Sequence, residues 1–173
     1  MANISVNGLP DLLLHEVCAL GDTVKLEELG NFVKKRKLDV NLVDDECGNR
    51  VALHWAATKG HAKCVKLLLE YGADPTAKMV GGWTAAHCAA ETGRFNVLKI
   101  LVENNAPVTL PDNSGDTPRR VAEIYGHTTC VELLKSAEDS GDQRKHEVKD
   151  KFREQTRKIS KMLGENRKAL EKT

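Results

Sequence analysis

The sequence predicts an all-α protein: a solenoid of about four helix-turn-helix repeats over residues 1–137, followed by a long amphipathic C-terminal helix. Three observations carry this. Gly60, Gly93 and Gly126 recur at intervals of 33 residues, as do Ala56, Ala89 and Ala122, and a fixed period of that length marks a stack of like units. Aromatic residues make up only 4% of the chain, so Leu, Val and Ala must fill the core, and small side chains in bulk suit closely packed helices. Past residue 142 the chain becomes highly charged, with apolar residues alternately four and three apart, which is the spacing of a heptad seam.

The first copy, "LLLHEVCALGDTVKLEEL", is stretched. His15 precedes His54 by 39 residues, six more than the period. Four of the six fall between Gly21 and Asp39, where "GNFVKKRKL" lengthens the second helix or its exit loop; the other two fall between Asp39 and His54. The second copy, "ALHWAATKGHAKCVKLLLEYGADP", starts at Ala52. The third, "AAHCAAETGRFNVLKILVENNAPV", starts at Ala85, and the fourth, "PRRVAEIYGHTTCVELLKSAEDSG", at Pro118.

Each copy reads as two helices. The first opens after Thr84 or Thr117, whose hydroxyl can cap free amides, and Pro118 sits where a missing N–H costs nothing. Alanine pairs such as Ala56–Ala57 and Ala89–Ala90 let neighbouring helices approach, and the repeated glycine ends the helix. The second carries apolar residues at Val65, Leu68 and Leu69, at Leu98, Leu101 and Val102, and at Val131 and Leu134; spacings of three and four put these on one buried face. "YGAD" supplies a glycine at the C′ position. A single unit cannot bury its apolar side, so neighbours must stack. In the fourth copy Arg119–Arg120 and Lys135–Ser136 interrupt the pattern, as expected of a terminal unit whose outer face meets water; the arginine pair is also open to an anionic docking partner.

Residues 138–142 are expected to be a linker, and residues 143–173 a charged helical tail. Val148, Phe152, Gln155, Ile159, Met162, Asn166 and Ala169 form its seam, supported by i,i+4 pairs such as Glu147–Lys151. Phe152, Ile159 and Met162 are the candidates there for contact with another chain. A solvated helix without a partner is the alternative, although an isolated stripe of this kind is marginal.

The period, the pairs Gly60–His61 and Gly126–His127, "YGADP", and "GDTP" from Gly115 to Pro118 stand in register. Through them residues 12 to about 137 resemble ankyrin repeats. The resemblance implies an extended concave surface built from loop tips and first-helix positions, where partner proteins bind. It also implies that His15, His54 and His87, at one repeat position, are structural residues bonded to the backbone of the adjoining turn. By register the variable surface positions include Arg50, Thr58, Lys59, Val80, Trp83, Glu91, Thr92, Asn113, Asp116, Ile124 and Tyr125. Of these Arg50, Lys59, Val80, Trp83 and Tyr125 are the candidate protein-binding residues, since Trp and Tyr are common interface anchors; Trp83 has a second reading, in which it folds onto the next loop and stiffens the stack.

The resemblance therefore points to a non-enzymatic adaptor or structural subunit, and it allows a large cytoskeletal assembly such as a motile-cilium axoneme. The main rival is a thiol- or metal-dependent activity centred on Cys88 or Cys64, prompted by His87, Cys88 and Glu91 lying within one turn. Against it, His and Cys at adjacent helix positions point in different directions. No hydrolase elbow, Walker loop or zinc-protease motif is present, and no cofactor is expected. The net charge of +1 gives no reason to expect nucleic acid. The N-terminal segment lacks a basic, apolar signal, and no stretch reaches the apolar length of a membrane span. The five cysteines are widely spaced and read as reduced thiols. A cytoplasmic protein that is monomeric outside its complex is expected.

Overall fold

The computed structural model describes residues 12–35 and 38–140. The chain divides into two compact units, Met1–Ser136 and Ala137–Thr173. In the first, α1 (Leu13–Leu20) and α2 (Thr23–Lys34) form the first helix pair, α3 (Ala52–Lys59) and α4 (Ala62–Glu70) the second, and α5 (Ala85–Glu91) and α6 (Phe95–Glu103) the third. The fourth pair is α7 (Pro118–Ile124) and α8, which begins at residue 128. The first helices stack in the order α1, α3, α5, α7, and the second helices in the order α2, α4, α6. Among the described residues there is no strand, only an isolated bridge between Asp44 and Arg50. The fold is the all-α solenoid of stacked helix pairs that the sequence predicts.

In the second unit only residues 137–140 are described, and they are helical. The expected linker therefore does not begin at residue 138: Glu138, Asp139 and Ser140 do not break a helix as Gly would. Gly141 and the whole heptad seam, with Phe152, Ile159 and Met162, lie outside the described residues.

The alanines pack as their size suggests, with Ala56, Ala57, Ala89, Ala90 and Ala122 fully buried between the first helices. Leu26, Leu68, Leu98, Leu101 and Leu134 seal the second layer. Val65 and Val97 are buried with them, whereas Leu69, Val102 and Val131 are half-buried. The extra residues of the first repeat extend α2 to twelve residues, against nine in α4 and α6. At the end of α6, Asn105 takes the left-handed conformation (φ +55°) that Gly72 provides after α4, a substitution that asparagine tolerates.

Successive repeats are stitched together at their loops and turns. The Val80 N–H donates to Gly48 O and the Asn113 N–H to Gly81 O, both at 2.9 Å, a bond repeated at the 33-residue period. At the other edge, the side chain following each glycine reaches back to the carboxyl end of the preceding first helix. His61 Nε2 meets Ala19 O at 3.3 Å, Arg94 Nε donates to Thr58 O at 3.2 Å, and His127 Nε2 meets Glu91 O at 2.9 Å. These carbonyls have no intrahelical partner, so the neighbour's side chain caps the helix.

That arrangement explains a glycine. Gly93 has φ +65°, and a Cβ there would lie 2.7 Å from Nδ1 of His127. Gly126 has φ +75° with nothing within 4 Å of such a Cβ. Alanine at either site bears the left-handed backbone cost of roughly 1–2 kcal/mol. Gly93→Ala should also displace His127 and its hydrogen bond, adding about 1 kcal/mol. Urea denaturation of the two variants is expected to show the larger loss for Gly93→Ala; equal losses would mean that the His127 contact contributes nothing.

Candidate protein-binding surface

The surface is built on histidines. His54 and His87 are buried near the starts of α3 and α5, and each bonds in two directions. Nδ1 of His54 accepts from the Val51 N–H and Nδ1 of His87 from the Thr84 N–H, both at 3.1 Å. Because Nδ1 accepts, the proton lies on Nε2, which faces Trp83 O at 3.2 Å from His54 and Asp116 O at 3.0 Å from His87. His15 makes the corresponding contact to Arg50 O at 3.2 Å. The Thr84 hydroxyl lies 2.9 Å from His87 Nδ1, and Thr117 accepts from the Arg120 N–H at 3.4 Å.

Burial pushes all three histidines below their ordinary pKa, His54 to about 4, with backbone hydrogen bonds opposing the shift. They are neutral at pH 7. Arg50, Trp83 and Asp116 thus share one repeat position, where a histidine of the preceding repeat holds the backbone and the side chain is free to differ.

The side chains use that freedom differently. The Arg50 guanidinium lies 4.9 Å from the centroid of the Trp55 ring. Trp83 is half-buried; its Nε1–H donates to Asp112 Oδ2 at 3.0 Å and its ring stacks on His87 at 5.9 Å. The indole thus spans to the next loop, so Trp83 ties two loops of the stack together and leaves only part of its surface exposed. Lys59 is exposed at the end of α3. Val80 at a loop tip, Ile124 and Tyr125 are 64%, 60% and 53% exposed, with the Tyr125 hydroxyl 3.5 Å from Glu91. Arg119 and Arg120 both turn to Glu123, at 2.6 and 3.4 Å.

The two thiols proposed for the rival chemistry lie in the core. Cys64 and Cys88 are at most 2% exposed; burial raises both, Cys88 to about 11, so each is a protonated, poorly nucleophilic thiol at neutral pH. Cys88 faces Met79, with sulfurs 3.8 Å apart, while His87 points to Asp116 O. Among the described residues no three His, Cys, Asp or Glu side chains are grouped as metal ligands, and no helix is long and apolar enough to cross a membrane.

Two participants escape a reading of sequence alone. Arg94 stands in register with His61 and His127 and does their work, a substitution hidden by its different chemistry. Trp55 lines a groove with Leu12, His15, Glu16, Ala19 and Asp44, although nothing in its local pattern separates it from a packing residue.

A family model for ankyrin repeats (many copies) matches residues 26–69 and 53–102. The chain is 38% identical over 84 residues to protein phosphatase 1 regulatory subunit 27 of Homo sapiens, covering 49% of this chain and 51% of that protein. It is 37% identical over 68 residues to 26S proteasome non-ATPase regulatory subunit 10 of Homo sapiens, covering 39% and 29%. With the E3 ubiquitin-protein ligase XBAT33 of Arabidopsis thaliana it shares 39% over 83 residues, covering 47% and 16%. The chain therefore spans about half, or less, of the length of these relatives.

Proposed function

We propose that this ankyrin-repeat stack works as a non-enzymatic adaptor, with its loop tips and first-helix ends as the recognition surface and its C-terminal tail as a second attachment. The observation that carries the reading is the exposure of Val80, Ile124 and Tyr125 on a backbone held by neighbouring repeats. Large apolar side chains left in water on a hydrogen-bonded framework are what an interface covers. Arg50 and Lys59 supply charge at its edge, and Trp83 adds its remaining surface. The raised thiol pKa values weigh against Cys88 or Cys64 as a nucleophile.

The two regulatory subunits among the similar proteins support a role in binding other proteins. "LHWAATKG", "GWTAAHCAAETG" and "GDTPRRVAEIYG" also resemble ankyrin repeat domain-containing protein 66. In this reading the tail, 143–173, is helical, and its Phe152, Ile159 and Met162 join another chain. The protein is a cytoplasmic monomer until it enters a larger assembly, for which a cytoskeletal or axonemal complex is the candidate.

The test is quantitative co-purification of the tagged full chain from cells. Ile124→Ser combined with Tyr125→Ala should weaken capture of specific partners by tenfold or more, since an aromatic anchor contributes about 2 kcal/mol, while the thermal midpoint stays unchanged. Phe152→Ser with Ile159→Ser tests the tail in the same way. An unaltered partner profile in both variants would overturn the adaptor surface as drawn here.

A further inference from the structure

Among the described residues, the groove of about 270 Å³ beside the first repeat holds the two buried polar side-chain atoms that have no partner. It is lined by Leu12, His15, Glu16, Ala19, Asp44 and Trp55, and two of these carry buried polar atoms with no partner: Nδ1 of His15 and Nε1 of Trp55. Such atoms are rare, because each has given up water for nothing. In this chain the cause can be traced. His54 and His87 satisfy Nδ1 with the N–H three residues earlier, and the residues providing it, Val51 and Thr84, are extended, with ψ 165° and 172°. The corresponding residue before α1, Leu12, has ψ 17°. Its N–H is not presented to the ring, and His15 keeps a bare acceptor.

The two orphans have opposite polarity. His15 Nε2 faces Arg50 O, so its proton is committed and Nδ1 can only accept; the indole Nε1–H of Trp55 can only donate. A single peptide amide offers both complements, a carbonyl and an N–H. The other walls are the apolar side chains of Leu12 and Ala19 and the carboxylates of Glu16 and Asp44. Asp44 is buried and already accepts from the Cys47 N–H, and Arg50 lies over the Trp55 ring, so among the described residues exposed Glu16 is the carboxylate at the rim that a ligand can reach.

We propose that this groove binds a linear peptide segment of a partner protein, with one main-chain amide bridging Trp55 Nε1–H and His15 Nδ1. An apolar side chain of the segment lies on Leu12 and Ala19, and a flanking Lys or Arg pairs with Glu16. Both orphan atoms are sealed from water in the unbound protein, and Leu12, 37% exposed and outside the helix, moves aside to admit the amide. This deepens the adaptor reading and rests on it, but it commits to a different patch from Val80, Ile124 and Tyr125.

The test uses the full chain and a phage-displayed library of linear twelve-residue peptides. Selected peptides should carry an apolar residue next to a basic one. Their affinity should fall at least tenfold with Trp55→Phe, which keeps a ring and removes the donor, and severalfold with Glu16→Gln. Since the N–H is unpartnered in the free protein, Trp55→Phe should leave the melting temperature unchanged or raise it, whereas a merely structural tryptophan would lower it. The chain has two tryptophans, so nitrogen-15 spectra give a second readout. The Trp55 indole resonance should shift on adding a selected peptide, and that of Trp83, already bonded to Asp112, should stay. If every selected peptide is indifferent to Trp55→Phe, or none is selected, the groove is not a peptide site. Peptides that instead depend on Ile124 and Tyr125 would overturn this inference and leave the adaptor reading standing.

Discussion

His87→Ala is expected to destabilise the stack by about 4 kcal/mol, the largest single effect of any substitution considered for this chain. The imidazole is fully buried. Its removal leaves a cavity the size of a ring, and it strips a partner from the Thr84 N–H, the Thr84 hydroxyl and the Asp116 carbonyl. Truncating a large buried side chain costs about 3–5 kcal/mol, and a buried backbone group left without a partner about 1–3 more; relaxation of the alanine-lined surroundings brings the sum back toward the middle of that range. Trp83 also loses its stacking partner. His127→Ala, at a half-buried position with one contact, should cost only about 1 kcal/mol. Equilibrium denaturation distinguishes the two. A loss at His87 no greater than that at His127 would reduce the buried histidine to a spacer.

Acid should weaken the fold well before most carboxylates titrate. His54 ionises at about 4 in the folded chain, against about 6.5 when unfolded. Between those values the unfolded chain binds a proton that the folded chain refuses, so stability is complete above pH 6.5 and is lost as pH falls toward 4. The span of about 2.5 units corresponds to about 3 kcal/mol, of which about 2 is gone by pH 5. The shifts of His15 and His87 have the same sign and the same leading cause, burial, so their losses add to it. Urea midpoints measured from pH 7 to pH 5 should fall steadily. A flat profile over that range would mean that these rings ionise without cost and are not sealed as described.

The features legible in the sequence were those repeated at a fixed interval. Gly60, Gly93 and Gly126, the alanine pairs and His54 with His87 each solve one local problem identically in every unit, so the period alone exposed them. The lengthened first repeat was readable for the same reason, as a departure from the interval, and its residues extend α2. What depends on one loop meeting another was hidden. Trp83 could be an interface anchor or a stiffener from sequence, and only the position of Asp112, 29 residues away, favours the second. The orphaned Nδ1 of His15 follows from a backbone angle at Leu12, for which no residue type is a signal. Arg94 escaped because its function, capping a carbonyl with a donor, is shared with histidine while its identity is not.

The histidine contacts to Arg50, Trp83 and Asp116 engage main-chain carbonyls, which every amino acid possesses. That separates inheritance of the fold from inheritance of surface chemistry. Substitutions at these three positions leave the tethering bonds in place, so a lineage can exchange one set of surface side chains for another without passing through an unstable intermediate, a route that matters for proteins held near their stability threshold. The exception is Trp83, whose side chain is bonded to Asp112. Drift should be slower there than at Arg50, and a change at either Trp83 or Asp112 should tend to be followed by a change at the other.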